Sequence, residues 1–354
     1  MIRTIVFYIS GHGFGHASRA IELIRALMTR CPDARVVVRT AAPQHLFAPI
    51  ADVYDAMFDV QAIEADTGVV QVDSLRLDEA DTVRQAARFY ETFDRRVAWE
   101  ADVLQRERAD LVIGDIPPLA FAAARHAGMP SVAVGNFTWD WIYSLYPVFD
   151  RLAPHVIPEI RRAYAAATRA LRLPLHGGFE PMAAVTRDIP FIARRSVRDP
   201  AETRRTLGFT GDRPLVLPSF GAYGADLPID PLRQSDRFTI IEKVPDPRGG
   251  LLYQDLVAAA DVVVSKPGYG IVSECVANDT ALLYTSRGRF IEYDVFVAGM
   301  PDVLRCRYIS QEDLLAGRWA DPIEALIAQT APPQHPRIDG ADVAVDAIMT
   351  LALG

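Results

Sequence analysis

Cysteine is scarce in this chain of 354 residues, and the three that occur, Cys31, Cys275 and Cys306, lie far apart. Their odd number and the lack of a Cys-x-x-Cys pair argue against a disulfide framework and a zinc knuckle. No stretch approaches the roughly 18 uninterrupted apolar residues of a membrane-spanning helix, and the first residues lack a signal-like apolar segment. We therefore expect a cytoplasmic protein without an integral membrane segment.

Positive charge is also in short supply. The chain has 37 Lys and Arg residues against 45 Asp and Glu, which gives a formal net charge of −8. Because binding to a nucleic-acid backbone needs a cationic surface, no nucleic-acid partner is predicted. A single diphosphate group is not excluded, since helix N-termini and backbone amides bind anions without net positive charge.

What the chain does contain is an alternation of strand and helix patterns. An apolar strand is predicted at Thr4–Ser10 and an amphipathic helix at His16–Arg30, and the alternation continues to about residue 136. Long helices are predicted at about Asp78–Arg108 and at Pro158–Leu173. Such βαβ repetition is typical of a parallel sheet with helices on both faces.

The pattern stops in a segment rich in Pro, Gly and Arg at residues 175–199 and then restarts, with a strand predicted at Phe238–Lys243 among others. We therefore predict an α/β protein with two Rossmann-like domains, residues 1–190 and residues 196–335, facing across a cleft. The last helix, 341–354, is expected to pack back on the first domain.

A glycine- and histidine-rich loop, Gly11–His16, connects the first strand to the first helix. Rossmann-like domains hold ligands at this position, so we expect Gly13 and Gly15 to let a nucleotide sugar approach the backbone. No Lys-Ser/Thr follows as in a P-loop, and His16 replaces the third glycine of the dinucleotide motif. A dinucleotide cofactor is therefore not predicted.

The two histidines of this loop are four residues apart, a spacing that also occurs in zinc sites on helices. Glycines lie between them and no Glu follows His12, so no metal is predicted. In the first turn of a helix, the dipole disfavours a protonated imidazole, which suits His16 to act as a general base. The alternative is that His16 only caps the helix, and His12 has no predicted role.

The loop resembles the N-terminal segment of inverting B-type (MurG-like) glycosyltransferases. In the N-acetylglucosaminyltransferases of peptidoglycan synthesis, a Gly-Gly-Thr-Gly-Gly-His loop ends at the catalytic base, a position that His16 fills. In plant natural-product glycosyltransferases an Asp after a later strand orients that histidine, and Asp115 matches it. A carboxylate there would fix the tautomer and stabilise the imidazolium. The alternative for Asp115 is to cap the following helix.

A second resemblance covers nearly the whole chain. The glycosyltransferase-like N-terminal region of arabinokinases shares the Gly-His-Gly-Phe-Gly-His-Ala motif, the segment Asn136–Tyr143 and the segment Lys266–Gly270. In those proteins a sugar kinase follows this region. No kinase activity is expected for the present sequence.

The second domain carries a strand, a glycine turn and a helix start at residues 261–274, an arrangement that suits a diphosphate. It resembles the donor-binding segment of the peptidoglycan enzyme and of glycolipid synthases, where a Glu holds the ribose hydroxyls. Ile271 departs from the Thr usual in the glycolipid synthases. A tight turn and a solvated lysine are the structural alternatives. The predicted donor-binding residues are Lys266, Gly268, Tyr269, Gly270, Ser273 and Glu274.

Two further loops are predicted to face the donor. Ser219 and Gly221 lie in a glycine loop that resembles a phosphate-contacting loop of the family, although little room for a crossover helix follows it. Glu292 matches the place where such enzymes present acidic or amide groups to sugar hydroxyls. Asn136 and Trp139, after the strand ending at Val134, are predicted to contact the acceptor, with packing as the alternative for the aromatic ring.

Together these features predict an inverting, metal-independent glycosyltransferase with His16 as base. Its donor would be a nucleotide-diphosphate sugar, with a UDP sugar expected, and it would need no cofactor. A small molecule or a lipid would be the acceptor, which leaves peripheral contact with a membrane open. Two alternatives stay open: a nucleotide-sugar epimerase or hydrolase, and a non-catalytic nucleotide-sugar-binding module.

Overall fold

The computed structural model describes residues 2–221, 224–242 and 250–352. Its strands form two sheets. The first consists of β1 (Thr4–Ile9), β2 (Arg35–Thr40), β3 (Phe58–Ala62), β4 (Leu111–Asp115), β5 (Ser131–Gly135), β6 (Arg169–Arg172) and β7 (Thr186–Asp188). The second consists of β8 (Leu215–Pro218), β9 (Thr239–Ile240), β10 (Val262–Ser265), β11 (Ala281–Tyr284) and β12 (Cys306–Tyr308).

Helices connect the strands of each sheet. Those of the N-terminal half are α1 (Phe14–Arg30), α2 (Ala48–Tyr54), α3 (Glu79–Glu91), α4 (Phe93–Arg106), α5 (Pro118–His126), α6 (Trp139–Ser144), α7 (Val148–Leu152) and α8 (Val156–Tyr164). Those of the C-terminal half are α9 (Pro200–Thr206), α10 (Ile229–Arg233), α11 (Tyr253–Ala259), α12 (Tyr269–Asn278), α13 (Ile291–Val303), α14 (Gln311–Leu315), α15 (Ala320–Ile327) and α16 (Gly340–Ala352).

Both sheets are parallel. The strand order is β3-β2-β1-β4-β5-β6-β7 in the first sheet and β12-β11-β10-β8-β9 in the second. Every residue of β1 is buried, and β10 is buried along its whole length, because helices cover both faces of each sheet. The predicted α/β class with two Rossmann-like sheets is therefore confirmed. In this topology the loops at the carboxyl ends of the strands collect ligands.

One predicted helix is wrong in its second half. The sequence pattern predicts a helix through Pro158–Leu173, but α8 ends at Tyr164 and β6 follows, paired in parallel with β5. Ala170 and Leu171 are buried while the arginines on either side are partly exposed. Over so short a stretch the apolar spacing fits either period, and the edge of β5 offers backbone partners that decide for the strand.

Two other predicted elements differ in extent. The helix predicted at Asp78–Arg108 is two helices, α3 and α4, separated at Thr92, whose backbone leaves the helical region. The strand predicted at Phe238–Lys243 is shorter in the structure, where it is β9, and Lys243 lies outside the described residues.

The last helix, α16, packs against α1 of the first domain. Ala344, Val345 and Ile348 are buried in the same apolar cluster as Leu27 of α1. An ion pair of 2.9 Å joins Arg30 to Asp346 at the rim of this contact. The helix α16 thus packs on the first domain.

A long connection after β3, residues 63–77, reaches from the first domain to the second, and we call it the crossing segment. Leu75 is buried in the apolar cluster of the second sheet. The Ser74 hydroxyl donates a hydrogen bond of 2.5 Å to the carbonyl of Phe220, and Lys266 donates one of 2.8 Å to Gln71. The segment therefore joins the domains at one side of the cleft between them.

Candidate active site

A cavity of about 560 Å³ lies between the two domains. Loops at the carboxyl ends of the strands of both sheets contribute to its wall. The cleft therefore has the position that the topology predicts for a ligand site. The lining residues include His12, Gly13, Gly15, His16, Arg19, Asn136, Trp139, Arg194, Ser219, Gly221, Lys266, Gly268, Tyr269, Gly270, Glu274, Arg287 and Glu292. Most of the predicted site residues thus surround one cavity.

The N-terminal ends of α1 and α12 meet in this cleft. Gly13 precedes α1 with a φ of 79°, a conformation that favours glycine, and Gly268 precedes α12. A Cβ atom added to Gly270 would lie 3.0 Å from the Cα atom of Gly15, so the two backbones approach each other closely here. Two positive helix ends therefore face the same space, an arrangement that favours an anionic ligand.

His16 lies in the first turn of α1 and is bonded to a buried carboxylate at the end of β4. Its Nδ1 atom is 2.8 Å from Oδ1 of Asp115. Nη2 of Arg19 also lies 3.1 Å from Nδ1, but it donates its shorter bond to Asp115. Because the carboxylate is the nearer group and can only accept, we assign the hydrogen to Nδ1, which leaves Nε2 as the basic nitrogen. Nε2 has no hydrogen-bond partner among the residues that the structure describes, and the side chain lines the cleft.

Arg19, one turn after His16 on α1, holds the other side of the same carboxylate. Its Nε and Nη2 atoms donate hydrogen bonds of 2.6 Å each to the two oxygens of Asp115. Burial alone would raise the pKa of Asp115, but the Arg19 charge and the hydrogen bonds from Arg19 and His16 outweigh it and hold that pKa below its ordinary value. Asp115 is therefore ionised. It does not cap α5, whose N-cap is Pro117.

Both predicted acceptor residues are buried in the cleft wall, but with different partners. Asn136 is fully buried, and its amide is bonded on both sides: its Oδ1 accepts from Arg19 at 2.7 Å, and its Nδ2 donates to Glu292 at 2.7 Å. Trp139 forms part of the cleft wall, with its indole N–H donated to Asp66 at 2.8 Å. Asn136 therefore links the two domains, and the Trp139 ring, 3% exposed, is packed into the cavity wall.

His12 lies beside a carboxylate that no sequence pattern indicated. Its Nε2 atom is 3.5 Å from Oδ1 of Asp66, which also accepts from the hydroxyl of Ser10 at 3.1 Å. The imidazole meets the edge of the Trp139 ring at a centroid distance of 6.0 Å. Asp66 belongs to the crossing segment, far from the loop in sequence, so only the fold reveals this pair.

In the second domain, two predicted donor-binding side chains of α12 form hydrogen bonds within the protein. The Tyr269 hydroxyl accepts a hydrogen bond of 3.1 Å from the backbone N–H of Ile192, and the Arg19 guanidinium lies 5.0 Å from the centre of its ring. The Ser273 hydroxyl donates to the carbonyl of Gly270 at 3.0 Å. Tyr269 lines the cavity together with Gly268 and Gly270, whereas Ser273 does not.

Glu274, the predicted ribose partner, is buried and paired with Arg194. The Nε atom of Arg194 donates a hydrogen bond of 2.6 Å to Oε1 of Glu274. Burial raises the pKa of Glu274 even though the Arg194 charge opposes that effect. Both side chains line the cleft, so a ligand at this end would meet a carboxylate that already has one cationic neighbour.

Two cationic side chains, Lys266 in the turn before α12 and Arg287 after β11, also line the cleft. We call this pair the cationic corner. Arg287 follows β11 and is 8% exposed. Its Nη1 atom is 3.4 Å from Oε2 of Glu292, a long contact for an ion pair. Burial, together with the Arg287 charge, lowers the pKa of Lys266 to about 7.

The loop after β8 contributes Ser219 and Gly221 to the cleft. The Ser219 hydroxyl is 2.5 Å from the hydroxyl of Tyr253, and Gly221 has a φ of 67°. Residues 222 and 223 of this loop lie outside the described part of the chain. The helix that follows, α10, has five residues, so the crossover helix is as short as the sequence indicates.

No helix among the described residues is long and apolar enough to cross a membrane. In residues 2–221, 224–242 and 250–352, no group of three or more His, Cys, Asp or Glu side chains could hold a metal ion.

The chain is similar to known proteins in sequence and in fold. Residues 3–141 match the family model described as glycosyl transferase family 1. The chain is 29% identical over 376 residues to L-arabinokinase of Arabidopsis thaliana, covering 98% of this chain. It spans about a third of that curated relative, 34% of its length.

Solved structures with the same fold include the glycotransferase of kitacinnamycin, with a TM-score of 0.63 and 17% identity, covering 99% of each chain. MurG from Acinetobacter baumannii matches with a TM-score of 0.52 and 14% identity, covering 98% of this chain and 99% of that one. The resemblance that the motifs indicate is therefore confirmed: the chain has the GT-B fold of glycosyltransferases, and its first domain matches glycosyl transferase family 1.

Proposed function

We propose that this chain transfers a sugar from a nucleotide-diphosphate sugar to a hydroxyl group of an acceptor, with inversion and without a metal. One observation carries the proposal. His16, held through Nδ1 by the ionised Asp115, presents its free Nε2 beside the place where the ends of α1 and α12 meet. A base and an anion-binding region thus share one cavity, as this reaction requires.

In the proposed reaction, the acceptor oxygen forms a bond to the anomeric carbon while the bond from that carbon to the diphosphate oxygen breaks. The hydroxyl proton passes to Nε2 of His16, and the electron pair leaves with the diphosphate. Attack from the face opposite the leaving group gives inversion. Asp115 stabilises the imidazolium that forms, and Arg19 keeps Asp115 oriented and ionised.

The diphosphate would lie at the glycine turn before α12, where backbone amides and the helix dipole balance its charge without a metal. Gly15 and Gly270 let the two helix ends approach each other, and Gly268 leaves the N-cap of α12 without a side chain that would block the ligand. Glu274 would hold the ribose, which fits its place one turn inside α12. A UDP sugar is the expected donor, and the acceptor, a small molecule or a lipid, would enter beside Trp139.

A ligand screen tests the donor. The purified chain would be melted with a panel of nucleoside diphosphates and sugar nucleotides, because a ligand at one hundred times its Kd adds about 2.7 kcal/mol of stability. We expect UDP and UDP sugars to raise the melting temperature most. If no nucleotide or sugar nucleotide changes it, the proposed function is wrong.

A mutation tests the chemistry. With a donor that binds and a panel of hydroxyl acceptors, His16→Ala should lower the transfer rate by about 100- to 10,000-fold while donor binding is kept, since a general base contributes on that order. His126→Ala, on an exposed histidine at the end of α5, is the matched control. Added EDTA should have no effect, and NMR of the product should show the inverted anomer. Equal rates for the two variants, or free sugar as the main product, would count against the proposal.

A further inference from the structure

Arg287 is unusual among the buried arginines of the cleft because its guanidinium is poorly satisfied. Its Nε atom is buried without a hydrogen-bond partner among the described residues. Its Nη1 atom has two long contacts of 3.4 Å, to the carbonyl of Pro267 and to Glu292. One face of the group lies on the Phe290 ring, 3.9 Å from its centre. A buried charged donor left in this way costs free energy.

The neighbouring carboxylate does not fully compensate this charge. Oε1 of Glu292 accepts a hydrogen bond of 2.7 Å from Asn136, and only the distant Oε2 faces Arg287. Glu292 is itself 4% exposed, so it is held in this position. The sequence predicts that Glu292 would face sugar hydroxyls, but the group with spare hydrogen-bonding capacity at this loop is the guanidinium.

Lys266 adds a second cation to the same place. Its ammonium donates to the neutral amide of Gln71 at 2.8 Å. The charged groups that affect it are Arg287, which disfavours its protonated form, and Asp73 and Glu292, which favour it. Two cations that repel each other in a buried corner would both be stabilised by an anion between them.

The corner also adjoins the start of a helix. The Nη1 atom of Arg287 would be 3.8 Å from a Cβ atom placed on Gly268, the N-cap of α12, which is ten residues long. The positive end of that helix and the two side chains therefore act on the same space. All three border the cavity that both domains enclose.

We propose that Lys266 and Arg287 form an oxyanion subsite that binds a phosphate or carboxylate group of the donor. The inference rests on the proposed function and makes it more specific. The oxyanion has two candidate sources: the distal phosphate of the nucleoside diphosphate, or a carboxylate on a sugar of the uronic acid class. The bound group would accept hydrogen bonds from the guanidinium of Arg287 and from the ammonium of Lys266, both of which line the cavity.

Binding measurements by calorimetry distinguish the two sources. The probes are inorganic pyrophosphate, UMP, UDP, UDP-glucose and UDP-glucuronate, titrated into the wild-type chain and Arg287→Gln. If the subsite binds the phosphate, the variant should bind pyrophosphate and UDP on the order of 10- to 100-fold more weakly and UMP unchanged. If it binds a sugar carboxylate, only the affinity for UDP-glucuronate should fall by that factor.

Two further variants keep the test decisive. Arg289→Gln, two residues along the same loop and 54% exposed, is the matched control and should bind every probe like the wild type. Arg287→Lys keeps the charge and should recover part of the lost affinity if Arg287→Gln is folded poorly. Binding of all probes within twofold of the wild type by Arg287→Gln would overturn the subsite, as would a wild-type chain that binds none of them.

The outcome for pyrophosphate separates this inference from the proposed function. Pyrophosphate binding that depends on Arg287, with no response to any nucleotide, would leave the subsite standing and remove the nucleotide-sugar donor. Nucleotide binding that is independent of Arg287 would do the reverse.

Discussion

The cleft has two charged centres that are built in opposite ways. Around His16, the guanidinium of Arg19 donates hydrogen bonds of 2.6 to 2.7 Å to Asp115 and Asn136. In the cationic corner, by contrast, the Arg287 guanidinium has contacts of 3.4 Å and a free Nε atom. Both arginines are buried, so solvent does not explain the difference.

The comparison separates two uses of a buried charge. A centre whose polar groups already have partners is fixed in geometry before any ligand arrives, which suits a base that must be oriented. A centre that lacks partners is less stable alone and gains more from a ligand that supplies them. We therefore expect the first region to contribute stability and the second to reduce it.

The largest expected effect is on the first region. Arg19→Met leaves the buried Asp115 carboxylate with His16 alone, and removing one partner of a buried pair costs about 3–5 kcal/mol. The measurement is the free energy of unfolding in urea. Arg25→Met, on the same helix but in a partly exposed pair with Glu22, is the control and should cost less than about 1 kcal/mol. Equal losses of unfolding free energy in the two variants would show that the buried pair at Arg19 stabilises the fold no more than an exposed pair does.

An effect of the opposite sign is expected in the second region. The pKa of Lys266 is lowered from 10.5 to about 7 in the folded chain. The folded state therefore resists protonation of this group, and the resulting penalty grows as pH falls from about 10 to 7 and is constant below. Lys266→Met should be more stable than the wild type at pH 6.5, by about 1–3 kcal/mol.

The pH dependence makes this prediction specific. The difference in unfolding free energy between Lys266→Met and the wild type should shrink as pH is raised from about 7 toward 10.5, since both states hold a neutral amine only above that value. A variant that is less stable than the wild type at pH 6.5 would show that the corner is satisfied as it stands.

The smallest expected effect concerns the place where the two regions meet. Gly270→Ala puts a Cβ atom 3.0 Å from the Cα atom of Gly15, whereas Gly15→Ala puts one 3.5 Å from the backbone of Gly270, an ordinary contact. We expect about 1 kcal/mol of destabilisation from Gly270→Ala and less from Gly15→Ala, measured by urea unfolding. The reverse order would mean that the helix ends are not in close contact.

Much of the fold could be predicted from the sequence because buried parallel strands are continuous apolar runs, and β1 and β10 are clear examples. The strand β6 could not, since its few residues fit a helical spacing equally well and only the edge of β5 decides between them. Prediction is thus strongest where one local pattern dominates and weakest where a partner strand supplies the backbone bonds.

The candidate site shows the same division. The glycine–histidine loop and the turn before α12 are local motifs, and the structure brings both to one cavity. Arg19 follows His16 by three residues, so helical spacing could have indicated it. Asp66 could not have been found in this way, because its partners Ser10 and Trp139 are distant in sequence. Arg287 could not either, because an ordinary charged residue in a loop gives no signal of burial.

The crossing segment affects how the cleft can open. Leu75 belongs to the first domain by its place in the chain but is buried, 8% exposed, in the apolar cluster of the second. Moving the domains apart must either bring this leucine into water, at a cost of about 1.5–3 kcal/mol, or carry the whole segment away from β3. Any separation of the two domains would therefore disturb the packing of Leu75, because the crossing segment holds both domains together at this side of the cleft.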